Sequence, residues 1–134
     1  MSLRTLLVIV SLLVTHSILA KECWGLTDLK GQIAASLDKY VITPDKFSNP
    51  MVLCFRDNGT GIVTGDDTSF VMFGTSTLIG MVQNNGFELI ESYQIDRKKN
   101  KVLFIKSRIG TTTVIPNGSD IISAFVGNAT KLKE

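Results

Sequence analysis

From Met51 onward the chain is cut by turn-forming residues into short β-prone runs, spaced about eight to twelve residues apart. The runs are Met51–Arg56, Thr60–Thr64, Ser69–Phe73, Thr77–Val82, Phe87–Ile95, Lys101–Arg108, Thr111–Ile115 and Asp120–Val126. Between them stand Asp57-Asn58-Gly59, Asn84-Asn85-Gly86 and Asn117-Gly118. These residues accept the positive φ that tight hairpins need. Arg97-Lys98-Lys99-Asn100 supplies a polar turn, read as solvated. Consecutive strands joined by tight turns pair antiparallel, so the spacing predicts an all-β fold. It is an up-and-down meander forming a small barrel or sandwich, with room for one short N-terminal helix.

The stretch before Met51 is less decisive. Leu26, Leu29, Ile33, Leu37 and Tyr40 fall at helical spacing, while Ile33, Ala35, Leu37 and Val41 fall on one face of a strand. The reading adopted is a short turn or helix through Leu29, then a strand. Thr43 to Pro50 reads as a loop because it carries two prolines.

Strand faces follow from the period of two. One face of Phe87–Ile95 carries Phe87, Leu89, Glu91, Tyr93 and Ile95, so Glu91 lies on the apolar side. In Ser69–Phe73, Thr77–Val82 and Ile121–Val126 both faces are largely apolar. Antiparallel sheets usually show water a polar face, so a covering element is expected. That cover is either another part of this chain or a second subunit, making a homo-oligomer.

The first twenty residues read as a separate unit. Arg4 precedes the apolar run Leu6 to Val14, and Ser17-Ile18-Leu19-Ala20 ends on a small residue. This is the layout of a secretory signal peptide over residues 1–20, which leaves a secreted, extracellular domain over 21–134. No later run is long and apolar enough for a membrane helix. His16, the sole histidine, would leave with the leader. Ser-His-Asp triads, Cys-His dyads and His-ligated metals are then excluded from the mature chain. Cys23 and Cys54 are the only cysteines, and in an oxidising compartment they are expected to form one disulfide. Asn58, Asn117 and Asn128 each begin a glycosylation sequon. A net charge of +2 gives no footprint for nucleic acid.

Ile95-Asp96-Arg97 followed by Val102-Leu103 resembles the late strands of avidins. Ser123-Ala124-Phe125-Val126-Gly127-Asn128-Ala129-Thr130-Lys131-Leu132 looks like the last barrel strand of that family. Leu29-Lys30-Gly31-Gln32-Ile33 is similar to the opening of avidin-like and lipocalin-like barrels, with Ile33 where the family has tryptophan. The resemblance implies a calycin-type barrel with a ligand cavity at one mouth, and in avidins a biotin-binding tetramer. Biotin is not carried over. Avidins stack it on several tryptophans, and this chain has only Trp24, beside Cys23. Lys106-Ser107-Arg108 and Ile121-Ile122 stand where the family places others.

Two constellations remain for chemistry. Asp66 and Asp67, with Asn84 and Asn85 expected at the same end, offer oxygen ligands for a divalent cation such as Ca²⁺ or Mn²⁺. The plain alternative is a solvated Gly-Asp-Asp turn. Glu91 and Tyr93 are the ligand-binding candidates. A buried Glu91 anchors a cationic or hydroxylated group, or else pairs with Lys106 or Arg108 from the neighbouring strand. Strand alternation places Asp57, Asp96, Arg97 and Asp120 at one end with Asn58 and Asn117, and Asp66, Asp67, Asn84, Asn85 and Asn128 at the other. The expected function is non-catalytic binding of a small, largely apolar extracellular molecule. The alternatives are an extracellular divalent-metal-dependent enzyme and a secreted interaction or structural protein.

Overall fold

The computed structural model describes residues 20–110 and 120–134. Residues 1–20 as a leader (but for Ala20), His16, the run Thr111–Ile115 and Asn117 lie outside the described residues. The rest is an antiparallel sheet closed on itself. In chain order its strands are β1 Ala20–Ala35, β2 Thr43–Phe47, β3 Met51–Arg56, β4 Thr60–Val63, β5 Asp66–Phe73, β6 Thr77–Asn84, β7 Phe87–Asp96, β8 Lys101–Gly110 and β9 Ile121–Lys131. From β3 to β9 every strand pairs with the next, and β9 pairs back onto β1 to close an eight-stranded barrel. The ninth strand, β2, pairs with β1 beyond the reach of β3 and prolongs β3's place in the wall. Gly59 and Gly86, in the turns read from sequence, take φ of 79° and 74°, which costs glycine little.

β1 corrects the expected turn or helix at Leu29. The chain is strand throughout, with a single 3-10 turn only later, at Ser36–Asp38. Between Thr27 and Lys30 the register against β9 slips, and Asp28 takes φ 52°. Such a bulge inserts one residue and reverses which parity faces inward. Trp24 and Leu26 are buried before it and Leu29 after it. The inward spacing of three therefore imitates a helix. β2 likewise corrects the expected loop. Pro44 is tolerated because β2 has a strand neighbour on one side only, so a missing N–H breaks no second ladder. Where β1 and β9 close the barrel, a Cβ on Gly31 would lie 1.8 Å from the Ala124 carbonyl oxygen. Only a residue without a side chain lets the two backbones approach so closely.

The ends of the barrel also need one correction. β8 runs to Gly110, β9 pairs directly with it, and Gly110 N–H donates to Asp120 Oδ1 at 2.9 Å. Strand alternation with a run at Thr111–Ile115 puts Asp120 with Asp57, but the antiparallel β8–β9 pairing fixes its end directly. Asp120 therefore sits at the Asp66 end. Asn128 sits at the opposite end, accepting from Lys101 Nζ at 2.7 Å and donating to Asp28 at 3.2 Å.

Arg97 is not a solvated turn residue. Its guanidinium donates to both Glu22 oxygens at 3.0 and 3.1 Å, to Ser76 Oγ at 2.6 Å and to the Thr75 carbonyl at 2.7 Å. It also lies over the Phe55 ring. This clasp seals one end of the barrel, where Trp24 also donates to Glu22. The Cys23–Cys54 disulfide joins β1 to β3 nearby, as the sequence led one to expect. Above the clasp the interior is filled by Trp24, Leu26, Leu53, Phe55, Ile95, Val102 and Ala129.

Candidate functional site

Halfway up the barrel the interior turns aromatic. Phe70 on β5, Tyr93 on β7, Phe104 on β8 and Phe125 on β9 all point inward and are nearly fully buried. Tyr93 stacks on Phe104 with ring centroids 4.2 Å apart, Phe104 on Phe125 at 5.8 Å, and Phe70 meets Tyr93 edge-on at 5.7 Å. Phe47 of β2 continues the row, 4.8 Å from Phe125. Its register partner is the buried Leu29, so Phe47 faces the interior, yet it is 40% exposed. It is an inward ring that water reaches.

Beyond this row, toward the Asp66 end, the interior becomes polar. Glu91 lies two residues past Tyr93, opposite Lys106 on β8, and Ser123 stands opposite Lys106 on β9. The parity read from sequence holds: Glu91 is 1% exposed. Lys106 Nζ stands 3.6 Å from Glu91 Oε2, close enough for an ion pair and too far for a good hydrogen bond. Neither Glu91 oxygen makes a well-formed hydrogen bond within the described residues. Loss of water around the ion raises the Glu91 pKa above the ordinary glutamate value. The Thr68 hydroxyl opposes that rise, Asp66 adds to it, and Lys106 opposes it more weakly. Burial, with help from Asp66 and Glu91, pushes the Tyr93 phenol up as well.

Asp66 completes the cluster. Its Oδ2 accepts from the Tyr93 hydroxyl at 3.3 Å and its Oδ1 from the Thr68 N–H at 3.1 Å. Asp67, the next residue on β5, points to the outside and is exposed. Adjacent strand positions face opposite ways, so the two aspartates read together from sequence do not converge. The described residues bring no three His, Cys, Asp or Glu side chains together as a metal-holding group. The carboxyl that does meet Asp66 is Glu91. Sequence spacing hid this pairing because β6 lies between β5 and β7. β6 carries Gly80 where the two approach, and Thr68 and Phe70 fill the space a side chain there would need. A glycine inside a strand was the available signal.

β8 is patterned inside out. Toward the Asp66 end its inward positions are Lys106 and Arg108, while Leu103, Ile105 and Ile109 face outward and are 42–54% exposed. The cross-strand rows Met81–Ile90–Ser107–Ile122, Ile79–Ser92–Ile105–Ala124 and Thr77–Gln94–Leu103–Val126 form an uncharged middle band on the outside of β6 to β9, between Glu88 toward one end and Asp96 and Lys101 toward the other. The doubly apolar strands noted in the sequence thus face the interior and this outer wall. Asn58 lies in the exposed β3–β4 turn, where its Oδ1 accepts from both the N–H and the hydroxyl of Thr60. No helix among the described residues is long and apolar enough to cross a membrane. Comparisons with protein-family models, with curated proteins and with solved structures find no match to this chain.

Proposed function

We propose that this barrel holds a small, largely apolar molecule at its Asp66 end and does no chemistry on it. Tyr93 and its aromatic neighbours form the floor of the site, and Glu91 is its polar contact. The observation that carries this reading is Phe47, an inward ring packed at a tilt against Phe125, with centroids 4.8 Å apart, that stays 40% exposed. An exposed inward ring is a place where an apolar ligand gains by leaving water. The opposite end is closed by Arg97, so the floor is approached from one side. Binding of the neutral dye Nile red tests the reading. Phe47→Ala is expected to weaken binding about tenfold, the worth of roughly one aromatic contact. Equal affinity in wild type and variant, or no binding at all, overturns it. The calycin-type resemblance agrees with this barrel and is kept as part of the proposal.

Export is part of the same reading, with residues 1–20 as a cleaved leader and glycans on sequons at Asn58, Asn117 or Asn128. The disulfide fits an oxidising compartment. Mass spectrometry of protein secreted from a glycosylating host, with N-terminal sequencing, checks both points. A retained leader would sink the export reading.

A second reading rests on the uncharged outer band. Exposed apolar surfaces of this extent mark interaction sites. Self-association of two copies through these three rows alone would bury no charge. Native mass at micromolar concentration checks it: a dimer that Ile105→Glu converts to monomer supports the reading, and a monomeric wild type ends it.

A further inference from the structure

We infer that Glu91 and Asp66 share a single proton, and that this proton latches the start of β5 onto β7 in acid and releases it as the pH rises. The Glu91 side chain has no exposed surface, and neither of its oxygens makes a well-formed hydrogen bond within the described residues. An ionised carboxylate buried without aligned donors is costly. Protonation removes the charge and turns the group into a donor. The acceptor it meets is Asp66, which faces it from β5. Asp66 has lone pairs to spare: one oxygen takes the Tyr93 hydroxyl and the other the Thr68 N–H.

The contact matters because of where the backbone stops pairing. β5 pairs with β6 from Phe73↔Thr77 up to Phe70↔Gly80, and Asp66, Asp67 and Thr68 lie beyond that ladder. On its β3 side the Thr64-Gly65 turn is tied twice. Thr64 N–H donates to the Val52 carbonyl at 2.9 Å, and Val52 N–H to the Thr64 hydroxyl at 2.8 Å. Toward β6 and β7 side chains make the hold: Thr68 packs over Gly80, and Asp66 reaches Tyr93 and Glu91.

When the proton leaves, two like charges face each other in that space. The other groups around Glu91 offset this in part. Lys106 on β8 stands 3.6 Å from Glu91 Oε2 with 30% of its side chain exposed. Arg108 lies one inward position further on, opposite Leu89. Tyr93, beside Glu91 on β7, keeps its proton. β6 presents Gly80 and β9 the uncharged Ser123. Residues 111–119 carry no titratable side chain. The raised Glu91 pKa has the sign the latch requires: the proton is held above the ordinary glutamate range and lost as the pH climbs through the raised value.

Hydrogen exchange of the Asp67 and Thr68 amides, corrected for the intrinsic pH dependence of exchange, tests this on the disulfide-intact protein at pH 5 and pH 8. Protection is expected to fall about tenfold or more between the two, while the Val102 amide in the core holds. Glu91→Gln, whose amide donates at any pH, should keep the segment protected at both. Asp66→Asn removes the like charge and should do the same, which serves if the Gln variant fails to fold. In Lys106→Met the protection at pH 5 should remain. Its loss there would show that the ion pair holds β5, and the inference falls. It falls equally if the wild type is protected alike at both pH values, or if the pH response survives in either folded carboxyl variant.

Discussion

Two glutamates in this barrel are shifted in opposite directions, because only one has a guanidinium to outweigh its burial. Glu22 is held below the ordinary glutamate pKa chiefly by the Arg97 hydrogen bonds. Its contribution to stability is therefore present above that ordinary value and lost as the pH falls through the lowered one. Arg97→Ala is expected to cost about 1–3 kcal/mol, allowing for the partial exposure of the pair. It should also remove part of the acid sensitivity, measurable as urea midpoints across acid pH. Glu91 runs the other way. Its raised pKa means the folded state holds the proton more tightly, so stability declines as the pH climbs from the ordinary glutamate value through the raised one. Glu91→Gln should flatten that decline and stabilise the protein at neutral pH by about 1 kcal/mol. If Glu91 and Lys106 were simply a structural pair, the same substitution would destabilise by about 3–5 kcal/mol. Urea unfolding of both proteins at pH 5 and pH 8 distinguishes the two.

At the level of strands, what the sequence revealed depended on how each one meets its neighbours. β3 to β9 were visible because each reversal carries Asn, Asp or Gly where the backbone needs them, and because parity in β7 correctly put Glu91 inside. β1 was not, since its bulge at Asp28 moves the inward set from Leu26 to Leu29 and produces a helical interval in a strand. β2 was hidden by Pro44, whose place at an unpaired edge is a fact about neighbours that no local pattern records. The Asp66–Glu91 meeting was equally hidden, since it depends on barrel curvature across Gly80. The β1–β9 contact yields a sharp expectation of its own. Gly31→Ala drives a methyl into the Ala124 carbonyl, which forces the two strands apart. A loss of about 3 kcal/mol or more is expected, with hydrogen exchange accelerated first along β1 and β9. Unchanged protection there would show that the barrel closes some other way.

For the molecule as a whole, the disulfide and the sheet closure hold the N-terminal strand from two sides. Cys23 and Cys54 are 31 residues apart in sequence. In the chain-entropy model, linking them across a loop of that length stabilises the fold by about 3–4 kcal/mol. Cys23→Ser/Cys54→Ser should therefore lower the urea midpoint while leaving the β-type circular dichroism spectrum in place. A spectrum turned mainly helical would contradict the barrel itself. The Arg97 clasp has a further consequence for traffic. On the binding reading proposed above, Arg97 blocks one end, so a guest is expected to enter and leave by one doorway at the other. Whatever slows loading must slow unloading by a related amount, and tethering β2 across that doorway would lengthen residence as surely as it delays arrival.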